Sequence, residues 1–162
     1  MSARRSALAL QPIKYSRRRD LPLKQIMALY RANGWSAADK PRQLKRGLRN
    51  SDELVTAWDG QRLVGLGNAI TDGSLVVYYP HLLVHPEYQA RGIGRRILEQ
   101  LLLKYAEFHQ QILVAEPQAA RFYRRLGFKR AGKALALEIF QGHEHLRKTK
   151  AKRKAVRPGV PS

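Results

Sequence analysis

The residues best suited to hold a ligand lie between an apolar run that ends at Val84 and a helical pattern that begins near Gly92. Two glycines spaced Gly92-x-Gly94 let backbone approach a ligand with no Cβ in the way. The N–H groups of a first helical turn have no intrahelical acceptor, and the helix dipole favours negative charge in front of them. Arg91, Arg95 and Arg96 crowd this same end, where a helix built only for stability would carry Asp or Glu. A bound dianion such as a pyrophosphate removes that conflict. The plainer alternative is a tight strand-to-helix turn with solvated arginines. Gln89-Ala90-Arg91-Gly92-Ile93-Gly94 is therefore a candidate anion site. It is not a nucleotide phosphate loop, because no Gly-Lys-Ser/Thr follows, and the third glycine of a dinucleotide fingerprint is absent.

The elements around this stretch follow from periodicity. Leu23, Ile26, Met27 and Tyr30 fall at helical spacing, and that helix ends near Asn33-Gly34. A second, strongly basic helix is expected from Pro41 to Arg49, with Leu44 and Leu48 as its apolar stripe. The period then changes. Glu53–Trp58 and Arg62–Ile70 read as strands joined by the turn Asp59-Gly60, and Asp72-Gly73 leads into a third strand, Leu75–Val84. Pro80 inside that run removes a ladder donor and marks an edge or a bulge. Ile97, Leu98, Leu101, Leu102, Tyr105 and Phe108 share one helical face. Ile112–Ala115 reads as a short strand buried on both faces, Ala119–Leu126 as a helix capped by Gly127, and Leu135, Leu137 and Ile139 as a final strand. With Ile13–Ser16 as a first strand, the expected fold class is α/β of the α+β kind, a mixed sheet with helices on its faces.

Composition narrows the partners. The chain has 162 residues, no cysteine, and a net charge of +19. No apolar run reaches the ~18 residues that span a bilayer, so neither a membrane span nor a disulfide framework is expected, and a reducing, cytoplasmic setting fits. The Arg- and Ser-containing start makes an organelle-targeting role conceivable. Residues 1–20 and 143–162 carry thirteen of the 31 Lys/Arg and two of the 12 acids, so +11 of the excess lies in the two ends. Such ends attract nucleic acid and other polyanions without specificity. The expected organisation is a basic extension over 1–11, one domain over 12–142 and a basic tail over 143–162. His143 and His145 lie in that tail with no cysteine or third ligand nearby, which argues against a metal site.

Two segments together carry a resemblance. Leu82-Leu83-Val84-His85-Pro86-Glu87-Tyr88-Gln89-Ala90-Arg91-Gly92-Ile93-Gly94 resembles the cofactor motif of the GNAT acetyltransferase superfamily, Gln/Arg-x-x-Gly-x-Gly/Ala. Ala120-Arg121-Phe122-Tyr123-Arg124-Arg125-Leu126-Gly127-Phe128 resembles that family's second signature, at the right spacing. The resemblance covers about residues 12–140, and the element order matches. Asn33-Gly34-Trp35, with Val84-His85-Pro86 followed by Gln89, is similar to bacterial and plastid members.

The resemblance implies a mixed, mostly antiparallel GNAT sheet and an acetyl-CoA-dependent N-acetyltransferase acting on a small or protein amine. It implies that the pantetheine arm lies beside the strand before the motif and bonds backbone groups of Leu82 and Val84. The implied cofactor set is Leu82, Leu83, Val84, Gln89, Ala90, Arg91, Gly92, Ile93, Gly94, Arg95 and Phe122. Tyr123 takes the place of the family's acid tyrosine, which protonates the leaving thiolate. Tyr78 stands where many relatives place a glutamate or histidine base, and a phenol, ordinarily ~10, is a poor base near neutrality. His81 is the other candidate base. Simple alternation puts it on the opposite face from Tyr78, unless a bulge at Pro80 turns it. Glu116 departs from the family's asparagine, and reads more simply as an acid at a helix start. Two rival readings stay open: a GNAT-shaped module that holds coenzyme A without turnover, and a nucleic-acid- or ribosome-associated protein using its basic ends. A dimer is compatible with either.

Overall fold

The computed structural model describes residues 11–140. The expectations for the N-terminal extension before Gln11 and for the tail, with His143 and His145, lie outside the described residues.

A sheet of six strands forms the centre. β1 (Lys14–Ser16) pairs antiparallel with β2 (Glu53–Asp59), and β2 pairs antiparallel with β3 (Arg62–Thr71) through the tight turn at Gly60. β3 is the longest strand and carries two short ones along its other edge, β4 (Val76–Tyr78) and β5 (Leu82–Val84), both antiparallel to it. β4 also pairs in parallel with β6 (Gln110–Ile112). The helices are α1 (Leu23–Ala32), α2 (Pro41–Asn50), α3 (Ile93–Lys104) and α4 (Ala120–Arg124). The mixed, mostly antiparallel sheet with flanking helices is the expected architecture.

Each face of the sheet has its own core. On one face, Ile26, Leu29 and Tyr30 of α1 and Leu44 and Leu48 of α2 pack on Leu54, Leu66 and Leu83. On the other, Ile93, Ile97 and Leu101 of α3 pack on Val55, Val64, Ala69 and Val77. The alternation of β2 and β3 supplies both layers, as a strand buried on each face must. Gly65 and Gly67 let α3 sit close to β3: a Cβ on Gly67 would lie 2.7 Å from the Ile97 γ2 methyl.

Three expectations change. Leu75–Val84 is not one strand but two, because the segment bulges around Pro80. Ile70 faces Tyr78 and Gly67 faces Leu82, so three steps on β3 are matched by four on its partner. One extra residue is the mark of a β-bulge, and it reverses which side chains face which layer. The strand expected over Ile112–Ala115 lies at Gln110–Ile112 instead, and Val114 is 63% exposed rather than buried. Its register comes from β4, and Tyr79 N–H to Ile112 C=O, at 2.9 Å, is where that pairing stops. Finally, Leu135, Leu137 and Ile139 form no strand and are 77%, 90% and 93% exposed. Alternation shows that a segment suits a sheet edge; it does not supply the neighbouring strand.

Candidate active site

The site is organised by the bulge. Asn68 N–H donates to the His81 carbonyl at 3.1 Å, and His85 N–H donates to the Val64 carbonyl at 2.8 Å. In an antiparallel ladder, alternate residues face the partner. His81, Leu83 and His85 therefore face β3, while Leu82 and Val84 turn their backbone groups outward. On that outer side β6 has ended its pairing at Ile112, and among the described residues no strand pairs with the outer edge of β5. The Val84 carbonyl is taken by the Gln89 side chain, whose Nε2 donates to it at 3.1 Å. A gap between diverging strands is thus lined by backbone donors and acceptors of Leu82 and by the Val84 N–H.

Directly beyond β5 the chain turns into α3. Ala90 and Gly92 both have positive φ, 60° and 78°. For Ala90, a residue with a Cβ, this costs of order 1 kcal/mol, so the loop is held in a specified shape. α3 begins with no capping side chain and no acid in its first turn. Its first helical bond is Arg96 N–H to Gly92 C=O, at 3.0 Å. The N–H groups before it are free of intrahelical acceptors, as an anion site requires. The arginines, by contrast, already have partners. Arg95 pairs with Glu99 at 2.7 Å, Arg91 lies over the Tyr88 ring and Arg96 over the Tyr15 ring. Their crowding does not by itself call for an anion. The uncapped helix start leaves N–H groups that an anion or water can meet.

A β-carbon on Gly94 would meet Val84 at 3.5 Å and Phe122 at 3.7 Å, both ordinary contacts. So α4 comes up against the start of α3, and Phe122 and β5 flank it. Tyr123 follows Phe122, with ring centroids 5.0 Å apart, and stacks edge-on to Phe128 at 6.0 Å. Burial pushes the Tyr123 phenol above its ordinary value, which keeps it protonated. Its hydroxyl has no hydrogen-bond partner among the described residues, and no unpartnered side-chain polar atom there is enclosed. The Tyr123 hydroxyl is therefore open to a ligand.

His81 faces the other core. The bulge turns it toward α1, on the same face as Tyr78 by the register. Its Nδ1 lies 2.6 Å from the Tyr30 hydroxyl. Trp35 stands edge-on to both rings, at 5.9 Å from Tyr30 and 5.3 Å from His81. Burial lowers the His81 pKa to about 4. Its backbone N–H donates to Asn68 Oδ1 at 3.1 Å, Asn68 Nδ2 donates to Ser51 Oγ at 2.8 Å, and Ser51 Oγ donates to the Gly47 carbonyl at 3.0 Å. Asn68 and Ser51 are buried, so this chain of bonds ties the bulge to α2. Sequence reasoning passed over Tyr30 as a core residue and Asn68 and Ser51 altogether. The one available signal was a lone asparagine in an apolar strand, Leu66-Gly67-Asn68-Ala69-Ile70. Glu116 is exposed and makes no capping bond, and among the described residues no cluster of His, Asp and Glu suits a metal.

The sequence profile of the acetyltransferase (GNAT) domain matches residues 25–141. The chain belongs to the GNAT acetyltransferase family. An uncharacterized N-acetyltransferase, ycf52, of Porphyra purpurea is 28% identical over 128 residues, covering 75% of this chain and 72% of the relative. Among solved structures, a GNAT family acetyltransferase of Streptococcus pneumoniae superposes with a TM-score of 0.70 at 28% identity, over 80% of this chain and 99% of its own. An aminoglycoside N-acetyltransferase in complex with CoA, AAC(6')-Iy, shares the fold at 13% identity and a TM-score of 0.61, over 79% and 95%. This acetyltransferase therefore belongs to a family whose acetyl donor is acetyl-CoA. None of its described helices is long and apolar enough to cross a membrane.

Proposed function

We propose that this acetyltransferase moves the acetyl group of acetyl-CoA directly to a primary amine, on a small molecule or on a protein. The observation that carries the reading is the outer edge of β5, Leu82–Val84, which no strand among the described residues pairs, beside an uncapped helix start. A pantetheine arm offers amides that suit those outward backbone groups, and its pyrophosphate suits the N–H groups of Gly92–Arg95. Gln89, Ala90 and Arg91 hold the loop in shape, Ile93 roots α3 in the core, and Phe122 and Gly94 bound the approach.

The two faces of the sheet divide the work. Gly94, Phe122 and Tyr123 lie with α3 and α4, whereas His81 meets Tyr30 of α1 and Tyr78 shares its sheet face by the register. Donor and acceptor thus approach the gap from opposite sides. The amine nitrogen bonds to the acetyl carbon, the carbon–sulfur bond breaks, and the Tyr123 hydroxyl gives its proton to the leaving thiolate. The proton lost by the amine goes to water, because His81, half-buried and bonded to Tyr30, is a weak base at neutral pH. The setting proposed is the cytoplasm or an organelle interior, with the basic ends as non-specific contacts for polyanions. Amine-dependent release of free thiol from acetyl-CoA tests the reading. Coenzyme A binding without release, across small amines and peptides, would favour a module without turnover.

A further inference from the structure

The ring of His81 has two nitrogens, and among the described residues only Nδ1 has a partner, the Tyr30 hydroxyl. Tyr30 is wholly buried. If Nδ1 carried the imidazole proton, it would donate to the phenol oxygen. The phenol proton would then need an acceptor of its own, and among the described residues the Tyr30 hydroxyl has no second partner. A buried donor left without an acceptor is costly. Satisfaction of both groups requires Tyr30 to donate to Nδ1, which places the imidazole proton on Nε2. Nε2 makes no hydrogen bond among the described residues, and no unpartnered side-chain polar atom there is enclosed. Its N–H is therefore open to a ligand. The ring has little freedom to turn, because Asn68 bonds both backbone groups of His81 and Trp35 packs against the ring edge-on.

We infer that Tyr30 is a positioning residue that locks His81 as the Nε2–H tautomer, so that His81 offers the acceptor substrate a neutral hydrogen-bond donor rather than a base. This rests on the proposed acetyl transfer for its substrate, though not for the tautomer. It also specifies the acceptor. A neutral N–H repels an ammonium group and recognises a carbonyl, hydroxyl or ether oxygen. The preferred amines carry such an oxygen near the nitrogen, as amino amides, peptides and hydroxy- or alkoxy-substituted amines do.

Ring-15N-labelled full chain without substrate reads the tautomer by long-range 1H–15N correlation. The expected spectrum has a protonated Nε2 and an unprotonated Nδ1 for His81, and Tyr30→Phe should release a mixture. A protonated Nδ1 or tautomer averaging in the unsubstituted chain would overturn the lock, whatever the activity. In acetyl transfer, His81→Gln keeps an amide N–H near the Nε2 position and should retain more kcat/KM than His81→Leu. His81→Leu should lose about 10- to 100-fold, the worth of one hydrogen bond to a buried donor. If Gln fails as badly as Leu while its circular dichroism and melting match, the donor role is wrong. If no amine is acetylated, the transfer reading fails while the ring spectrum still decides the tautomer.

Discussion

Asn68 exchanges two hydrogen bonds with the backbone of His81, one through its own amide N–H and one through its side-chain Oδ1, each 3.1 Å long. The first is an ordinary ladder bond. The second takes the place of a ladder bond that the bulge has displaced, and it fixes the backbone from which the His81 ring projects. Asn68→Ala leaves the His81 N–H without a partner and Ser51 without its donor. It should cost about 1–3 kcal/mol in chemical denaturation and lower kcat. Asn68→Asp keeps the Oδ1 acceptor but sets a buried carboxylate against Ser51 Oγ in place of a donor, so it should cost at least as much as Ala; undiminished turnover in Asn68→Ala would disconnect the bulge from catalysis.

Two glycine substitutions separate folding from binding. Gly67→Ala puts a methyl 2.7 Å from Ile97 and within 3.2 Å of Leu82 and Leu101. Overpacking of this kind costs about 1–3 kcal/mol, visible as a lower melting temperature. Gly94→Ala meets only ordinary contacts and gains up to about 1 kcal/mol of helix propensity. It should melt no lower than the parent chain yet bind coenzyme A more weakly by calorimetry. Unchanged affinity in Gly94→Ala would mean that no ligand approaches the start of α3 closely.

Stability should fall with acid in two stages. The folded-state pKa of His81 is lowered to about 4, against ~6.5 in an unfolded chain. The unfolded state then binds the extra proton first, so the contribution is complete above ~6.5 and is lost as pH falls toward the folded value. The loss is roughly 3 kcal/mol over that span. Asp52 and Glu53 are also held below their ordinary values. For Asp52 the Tyr105 hydroxyl is the main cause; for Glu53 burial is the largest single influence and acts upward, but the hydrogen bond and charge of Lys104 and the Arg17 charge together outweigh it. Their contributions disappear only in stronger acid. Urea midpoints between pH 7 and 4.5 should therefore decline in the parent chain, and His81→Gln should flatten that decline. A parallel slope in both proteins would place the proton elsewhere.

Tyr123→Phe removes only the hydroxyl, since the ring contacts to Phe122 and Phe128 stay in place. Turnover should fall roughly 100-fold or more, the usual worth of a positioned acid, with coenzyme A affinity within about threefold. A matching loss in both quantities would make Tyr123 a binding residue.

The fold was legible wherever a pattern answers to one neighbour. α1, α2, β2 and β3 follow their apolar spacing because each packs one stripe or two alternate faces on a continuous core. The site was legible less evenly. Gly92-x-Gly94 announces close approach, since only glycine omits the Cβ, and Pro80 announces a broken ladder. Which way the bulge turns His81 depends on the count of residues along β3, 78–82 against 67–70, and no local pattern reports that count. Asn68 reads as a flaw in an apolar strand until its partner, the backbone of a residue thirteen positions away, is in view. Leu135, Leu137 and Ile139 show the reverse case, a sound alternation with no strand beside it among the described residues.

In the proposed function, the gap along Leu82–Val84 holds acetyl-CoA for transfer to an amine. The most direct test incubates the full chain with acetyl-CoA and a panel of amines, with and without an oxygen near the nitrogen, and quantifies free thiol and acetylated amine together. Equal amounts of the two products should form, only when amine is present, with a preference for oxygen-bearing amines. Thiol without acetylated amine, or neither product despite bound coenzyme A, would contradict the proposed transfer.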